Sequence, residues 1–491
     1  MKRKFKVVSV LLSAAMLAAA FSGCGTKKQT VSKDGVVNLK WYLRGVMDGN
    51  DCQEVFDSVN DILEERYKLH VDFSFIDGGN FASKLNAINA AYEEYDLVFT
   101  SNWANDFYQN VVNGTLMDIT DLLPEYAPTV YKNTSEAVWK AVSDNDRIYA
   151  VPNWQEQARS CGLIIDQDKL DKAGMTIDEI NTMDDLTTYL RKIHAIEPKS
   201  DAISIDWNFL AYKFGYADTG ISSVSFKFGE SGKPVLVNIY ETEEYKNFVK
   251  LLDSWVKEGL IRNYIATDTQ QNEIKKEVRT NLFMIAGYAP GSDVDMSVSR
   301  GYDVAVKKFS DDAVLTTSGI LAAATGVAAT SKHPEEAVKM IEIMNTDKEI
   351  FNMLCWGIEG KHYTKEDDMH IKLVENSAYN CIADFSIGSA ANSYVVDGQD
   401  ENIWERIKEY NDSAIPSSLL GINFNTEKIQ SQLADCATVI SKETAELNHG
   451  VCSDVDAALN TLLKDLKTAG IDKVIEELQS QVDEWWKQNN E

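Results

Sequence analysis

Between Val37 and Phe99 apolar residues recur at every second position, then at helical spacing, then at every second position again, and this alternation narrows the fold more than any other feature. Leu39, Trp41 and Leu43 share one face of a strand over Val37 to Leu43. Val55, Val59, Ile62 and Leu63 then mark an amphipathic helix, and His70 to Ile76 alternates as a second strand. Gly78-Gly79 breaks the chain, Phe81 to Tyr92 reads as helix, and Leu97, Val98 and Phe99 form a short buried strand closed by Thr100-Ser101-Asn102. Strands and helices in this rhythm build parallel βαβ units. In such sheets ligands bind beyond the carboxyl ends of the strands. Trp103 falls there, at the head of a helical pattern through Phe107 and Val111 that stops at Asn113-Gly114. It is either the first core residue of that helix or a flat surface for a ligand.

The remaining chain continues in α/β style. Tyr149-Ala-Val-Pro-Asn-Trp154 is an edge strand or crossover, because Pro152 has no N–H for a central ladder. Cys161 to Ile165, Asn281 to Ala286 and Tyr302 to Phe309 read as strands, and Met183 to Ile193 and Tyr245 to Val256 as helices. Trp207 lies in the loop-like Asp206-Trp-Asn208, and Gly287-Tyr-Ala-Pro-Gly291 is a turn that presents Tyr288. Ala-rich Gly319 to Thr330 suggests a strand, and Pro334 opens a helix with two acids in its first turn. Two amphipathic helices separated by Gly470 close the chain.

The N-terminus is a processing segment. Lys2, Arg3, Lys4 and Lys6 precede an apolar run from Val7 to Ala20 that is too short to span a bilayer, and Phe21-Ser-Gly-Cys24 follows. This ending resembles a bacterial lipobox, with Phe21 in place of the usual aliphatic residue, and the resemblance implies a lipidated Cys24 as the mature N-terminus. Gly25 to Gly35 reads as a tether.

About 450 residues remain, enough for two or three cores. Without the four leader cations, 44 basic residues face 76 acidic ones, a net charge near -32 against -28 for the whole chain. That balance argues against nucleic acid or an anionic membrane face as partner. Cys52, Cys161, Cys355, Cys381, Cys436 and Cys452 are scattered without a Cys-x-x-Cys pair; pairing is open to an exported protein, but mostly free, buried thiols are expected. Six histidines at no ligand spacing predict no metal site, and no cofactor is expected.

Several stretches carry a family resemblance: Phe21 to Cys24, Tyr95 to Trp103, Tyr149 to Pro152, Gly319 to Glu336, Cys355-Trp-Gly-Ile-Glu-Gly-Lys-His-Tyr363, Ile415-Pro416 and Gly421-Ile-Asn-Phe-Asn425. Together with the final helix over Leu466 to Trp486, they make the chain similar to extracellular solute-binding lipoproteins of bacterial ABC importers in the sugar-binding group. Within that group it resembles the LipO-like subfamily with its characteristic C-terminal region, although Asp384 to Asn392 departs from a Gly-Asn-Gln-like turn. The resemblance implies an α/β, two-lobed periplasmic-binding-protein-like fold with a ligand cleft between the lobes. Residues 37–150 with 288–328 would form the N-terminal lobe and residues 151–287 with 329–491 the C-terminal lobe. Residues 1–23 are the leader and 24–36 the tether. Crossings are expected at Tyr149 to Asn153, Ile285 to Pro290 and Ala324 to Ser331. It also implies a monomer, anchored by lipid on the outer face of a Gram-positive cell membrane, that passes an oligosaccharide to permease subunits.

Sugar recognition needs flat apolar surfaces for ring C–H faces and planar polar groups for hydroxyls. Ten tryptophans and twenty tyrosines supply the first. Trp103, Trp154, Trp207, Tyr288 and Trp356 are the expected platforms, with Asn102, Asn105, Gln155 and Glu156 as polar partners. A glycoside hydrolase would need two carboxylates across a cleft, and none of the 76 acids stands in a recognisable catalytic motif. Catalytic residues are therefore expected to be absent. A peptide ligand, or a binding protein coupled to sensing, is the alternative reading.

Overall fold

The computed structural model describes residues 35–46, 51–198, 202–221, 223–261, 281–379 and 382–490. The leader, Cys24 and Cys381 lie outside them.

Two sheets organise the molecule. The first runs in the order Leu69–Ile76, Val37–Arg44, Leu97–Thr100, Ala324–Val327, Ala150–Pro152. Its first three strands are parallel, as the alternation from Val37 to Phe99 predicts, and Ala324–Val327 enters antiparallel between Leu97–Thr100 and Ala150–Pro152. All four residues of Leu97–Thr100 are buried, the mark of a strand covered on both faces. Trp41, Phe81, Phe99 and Phe107 are fully buried around this sheet, under the helices Cys52–Tyr67, Phe81–Ala90, Pro334–Thr346 and Lys348–Trp356.

The second sheet runs Val304–Lys308, Cys161–Asp166, Asn281–Gly287, Ala202–Ile205. Glu243–Lys257 shows how its helices are specified. Thr242 Oγ1 accepts the Tyr245 N–H at 3.3 Å, Glu243 and Glu244 meet the positive end of the dipole, and Tyr245, Phe248, Val249, Leu252 and Trp255 fall on one buried stripe. The indole of Trp255 donates to Thr187 Oγ1 at 3.0 Å, so its polar edge is satisfied inside the core.

Val455–Ala469 and Ile471–Asn490 pack Leu459, Leu462, Leu466, Val474, Leu478 and Val482 into this second core. The C-terminal helices are thus part of the lobe's interior. Gly470 stands between them with φ +98, and a Cβ there would come 2.7 Å from Gln432 Cγ.

The lobes divide differently from the expectation. Residues through the helix Pro334–Thr346 and on to Ile387 pack in the first core, whereas Phe309 and Val314 pack in the second. The expected crossings at Tyr149 to Asn153, Ile285 to Pro290 and Ala324 to Ser331 instead belong largely to the sheets themselves. Pro152 is tolerated because it ends an edge strand. The true crossings meet in a small sheet of three two-residue strands, Ile415–Pro416, Val314–Leu315 and Ala158–Arg159. Val314 pairs with both Ile415 and Arg159, which ties all three together.

Cys161, Cys355, Cys436 and Cys452 are free and buried, and Cys52 is disulfide-bonded.

Candidate functional site between the lobes

The register of the first sheet sets the site. Arg44 pairs with Ile76, Trp41 pairs with Leu97, and Ala324 pairs with both Thr100 and Pro152. The chain segments after Arg44, Ile76, Thr100 and Pro152 therefore leave one edge of the sheet together. In the second sheet Gly287 pairs with Cys161 and Ile285 with Ile205, so Tyr288, Ser160 and Asp206 share an edge in the same way.

Trp103 is 53% exposed, which decides its status: it is not the first core residue of a helix. The helix begins at Phe107, with Asp106 Oδ1 accepting the Gln109 N–H at 2.8 Å. Residues 101–105 form a loop closed by Ser101 Oγ, which accepts the Ala104 N–H at 2.9 Å. The Trp103 indole donates to the Ala322 carbonyl at 2.8 Å, and the Asn102 amide donates to the Ser318 carbonyl at 3.2 Å. Both side chains are thereby oriented against the Ser318–Ala322 crossing. Asn105 turns inward. It is buried, donating to the Phe99 carbonyl at 3.1 Å and accepting from Asn110 at 2.9 Å, so its amide is spent on holding the loop.

Trp154, Gln155 and Glu156 lie on the crossing Asn153–Ser160 and are all half-buried. Asn411 clamps this crossing to the helix Ile403–Asp412. Its Oδ1 accepts the Gln157 and Ala158 N–H groups at 2.9 and 3.0 Å, and its Nδ2 donates to the Gln155 carbonyl at 2.7 Å. Trp154 packs beside Val395, Ile403 and Ile407. Burial pushes the Glu156 carboxyl up to about 7, against the opposing pull of Arg159 at 3.8 Å. Tyr288 lies edge-on to Tyr410 at 5.2 Å, and the Tyr410 and Ser160 hydroxyls are 2.6 Å apart. The structure thus gathers Trp154, Gln155, Glu156 and Tyr288 around the crossing and its helix.

Two expected platforms sit elsewhere. Trp207 is 4% exposed and packs against Tyr245 and Phe248 at 4.9 and 5.1 Å, a core position with no free face. The reason is local: Asp206 caps a helix, Trp207–Lys213, whose first residue turns inward. Trp356 is half-buried against the first core, and its indole donates to Ser393 Oγ at 3.0 Å.

Two cavities open between the lobes beside the crossings. One of about 490 Å³ is lined by Trp154, Gln157, Asn133, Asn345, Ser389 and Asn411 among others. Another of about 320 Å³ lies between Asn102, Asp106 and Tyr108 of the first lobe and Asp218, Asn423 and Phe424 of the second. Both are rich in amide and hydroxyl groups with an aromatic ring in the wall. Arg44, Tyr410 and Asn411 escaped the sequence reading. Arg44 could have been found, because the carboxyl-end rule that selects Trp103 applies equally to the strand it ends.

Two α/β lobes, three crossings paired at one hinge, and polar, aromatic-walled space between them define a hinged solute-binding protein. The chain belongs to the bacterial extracellular solute-binding protein family, whose profile matches residues 53–350. Residues 418–487 match a domain of unknown function. Over 99% of its length it is 26% identical to a carbohydrate ABC transporter substrate-binding protein of Streptococcus pneumoniae, 98% of which is covered. Its fold is similar to the crystal structure of an N-glycan transport solute binding protein from Streptococcus pneumoniae, with TM-score 0.76, 22% identity and coverage of 92% of this chain and 100% of the other. The complex of that protein with Man1GlcNAc aligns with TM-score 0.67 over 92% and 99% at 23% identity. An extracellular solute-binding protein of Bifidobacterium longum subsp. infantis aligns with TM-score 0.62 over 92% and 99% at 15% identity.

Proposed function

We infer that the protein captures a neutral oligosaccharide between its lobes and delivers it unaltered to the permease of an ABC importer. The observation that carries this reading is the placement of Trp103 and Trp154 beyond strands that leave the same edge of one sheet, with Trp154 in the wall of the 490 Å³ cavity and Asn102, next to Trp103, in the wall of the 320 Å³ one. The name of the Streptococcus pneumoniae relative supports the carbohydrate class. The hinge supports capture by closure, since three two-residue strands need few backbone torsions to change. No catalysis is assigned. Glu156, the carboxyl of the crossing pushed up to about 7, faces Arg159 at 3.8 Å.

The Phe21-Ser-Gly-Cys24 ending supports a diacylglyceryl anchor on Cys24, with a monomer tethered to the outer face of the membrane through Gly25 to Gly35. A thermal-shift screen of the purified protein against oligosaccharides, including Man1GlcNAc, and against short peptides tests the reading. A ligand at about 100 times its Kd adds roughly 2.7 kcal/mol. A shift with a glycan recovered intact is expected. A shift with peptides alone, or cleaved glycan, would overturn it.

A further inference from the structure

Arg44 ends the second strand of the first sheet, at the level of Ile76 and next to the strand that leads to Trp103. Its guanidinium lies 4.8 Å from the centroid of the Trp103 ring. Gly78 makes room on its other side: a Cβ there would stand 2.7 Å from Arg44 Cζ. The side chain is exposed, and among the described residues it forms no ion pair and no hydrogen bond. Arg66, Arg147, Arg159, Arg191 and Arg406, by contrast, each face a carboxylate. A guanidinium carries five donors in a rigid fork and must find acceptors. The cation–π contact with Trp103 holds the guanidinium over the ring at the carboxyl edge of the sheet, with its N–H groups open to solvent.

We propose that Arg44 is a specificity-determining residue of the ligand site, whose fork donates to two adjacent hydroxyls of the sugar ring docked beside Trp103. Two neighbouring oxygens match the fork as a carboxylate would. The strongly negative chain and Asp77, one residue past the Ile76 that pairs with Arg44, favour the neutral diol over an acidic sugar. The proposal rests on the reading of the cleft as an oligosaccharide site.

The test is calorimetric titration of Man1GlcNAc and Man5GlcNAc into the purified wild type, Arg44→Ala, Arg44→Lys, Trp103→Ala and the double variant Arg44→Ala/Trp103→Ala, each checked by circular dichroism. Arg44→Ala is expected to weaken binding about tenfold or more, the scale of hydrogen bonds to a charged group. Arg44→Lys should recover only part of that loss, because an ammonium lacks the fork. In the Trp103→Ala background, Arg44→Ala should still weaken binding. If it has no further effect there, Arg44 acts only by holding the ring and the proposal falls. A wild type that binds with Arg44→Ala within about twofold of it (~0.4 kcal/mol) overturns the proposal and leaves the sugar-binding reading standing. A wild type that binds neither glycan, yet shifts with peptides, overturns both.

Discussion

Replacing Trp207 with Ala separates the core of the second lobe from the ligand site. The ring is 4% exposed and touches Tyr245, Phe248 and Phe214 with centroids at 4.9, 5.1 and 6.1 Å. Truncating a buried Trp costs about 3–5 kcal/mol in transfer and cavity terms. One term opposes it: the Trp207 indole N–H is buried without a hydrogen-bond partner, and its removal returns about 1 kcal/mol. A net loss of about 2–4 kcal/mol follows, or a melting point lower by about 5–15 °C for a unit of this size. Trp207→Phe keeps most of the ring and discards the unpaired donor, so its cost stays below about 1.5 kcal/mol. Thermal melting followed by circular dichroism reads the stability, and calorimetric titration below the transition reads the affinity. A folded Trp207→Ala with unchanged melting and lost glycan binding would refute this placement and return Trp207 to the cleft.

Trp103→Ala and Trp154→Ala should show the opposite pattern, with affinity for the glycan falling by more than about 0.5 kcal/mol and melting nearly unchanged for the exposed Trp103; titrations indistinguishable from wild type would remove both rings from the site. Glu156 predicts a pH dependence. Its carboxyl titrates near 4.5 unfolded and is pushed up to about 7 in the fold, so the folded state holds the extra proton and loses stability as pH rises through that window. Glu156→Gln should match wild type below about pH 4.5 and exceed it above about pH 7, by on the order of 1–3 kcal/mol; coincident urea curves for the two proteins at pH 8 would contradict this. Cys24→Ser should release the protein from the membrane fraction and leave its glycan affinity intact, whereas full retention in the membrane would argue against the lipid anchor.

The first lobe's parallel strands were legible because their alternation is local. Leu39, Trp41 and Leu43 announce a face without help from the rest of the chain. The hinge was not, for two physical reasons. Each hinge strand is two residues long, shorter than any period can register. Lobe membership is also set by long-range contact: the apolar stripe of Pro334–Thr346 says that the helix is covered but not by which sheet. Trp207 illustrates a missed local signal. Asp206 caps it, accepting the Asn208 N–H at 2.9 Å, and Leu210 and Ala211 continue the buried face, so a helix start was present where a loop was read. Asn105 failed in the opposite sense, since an amide that closes a turn and an amide that waits for a ligand look alike in sequence.

Hydrogen exchange of the purified protein with and without a bound oligosaccharide tests the central claim most directly. Capture between the lobes predicts new protection at residues 101–105, 154–160 and 286–290, on both facing sheet edges and the crossing that joins them. Protection confined to one lobe's outer surface, or absent at saturating glycan, would contradict it.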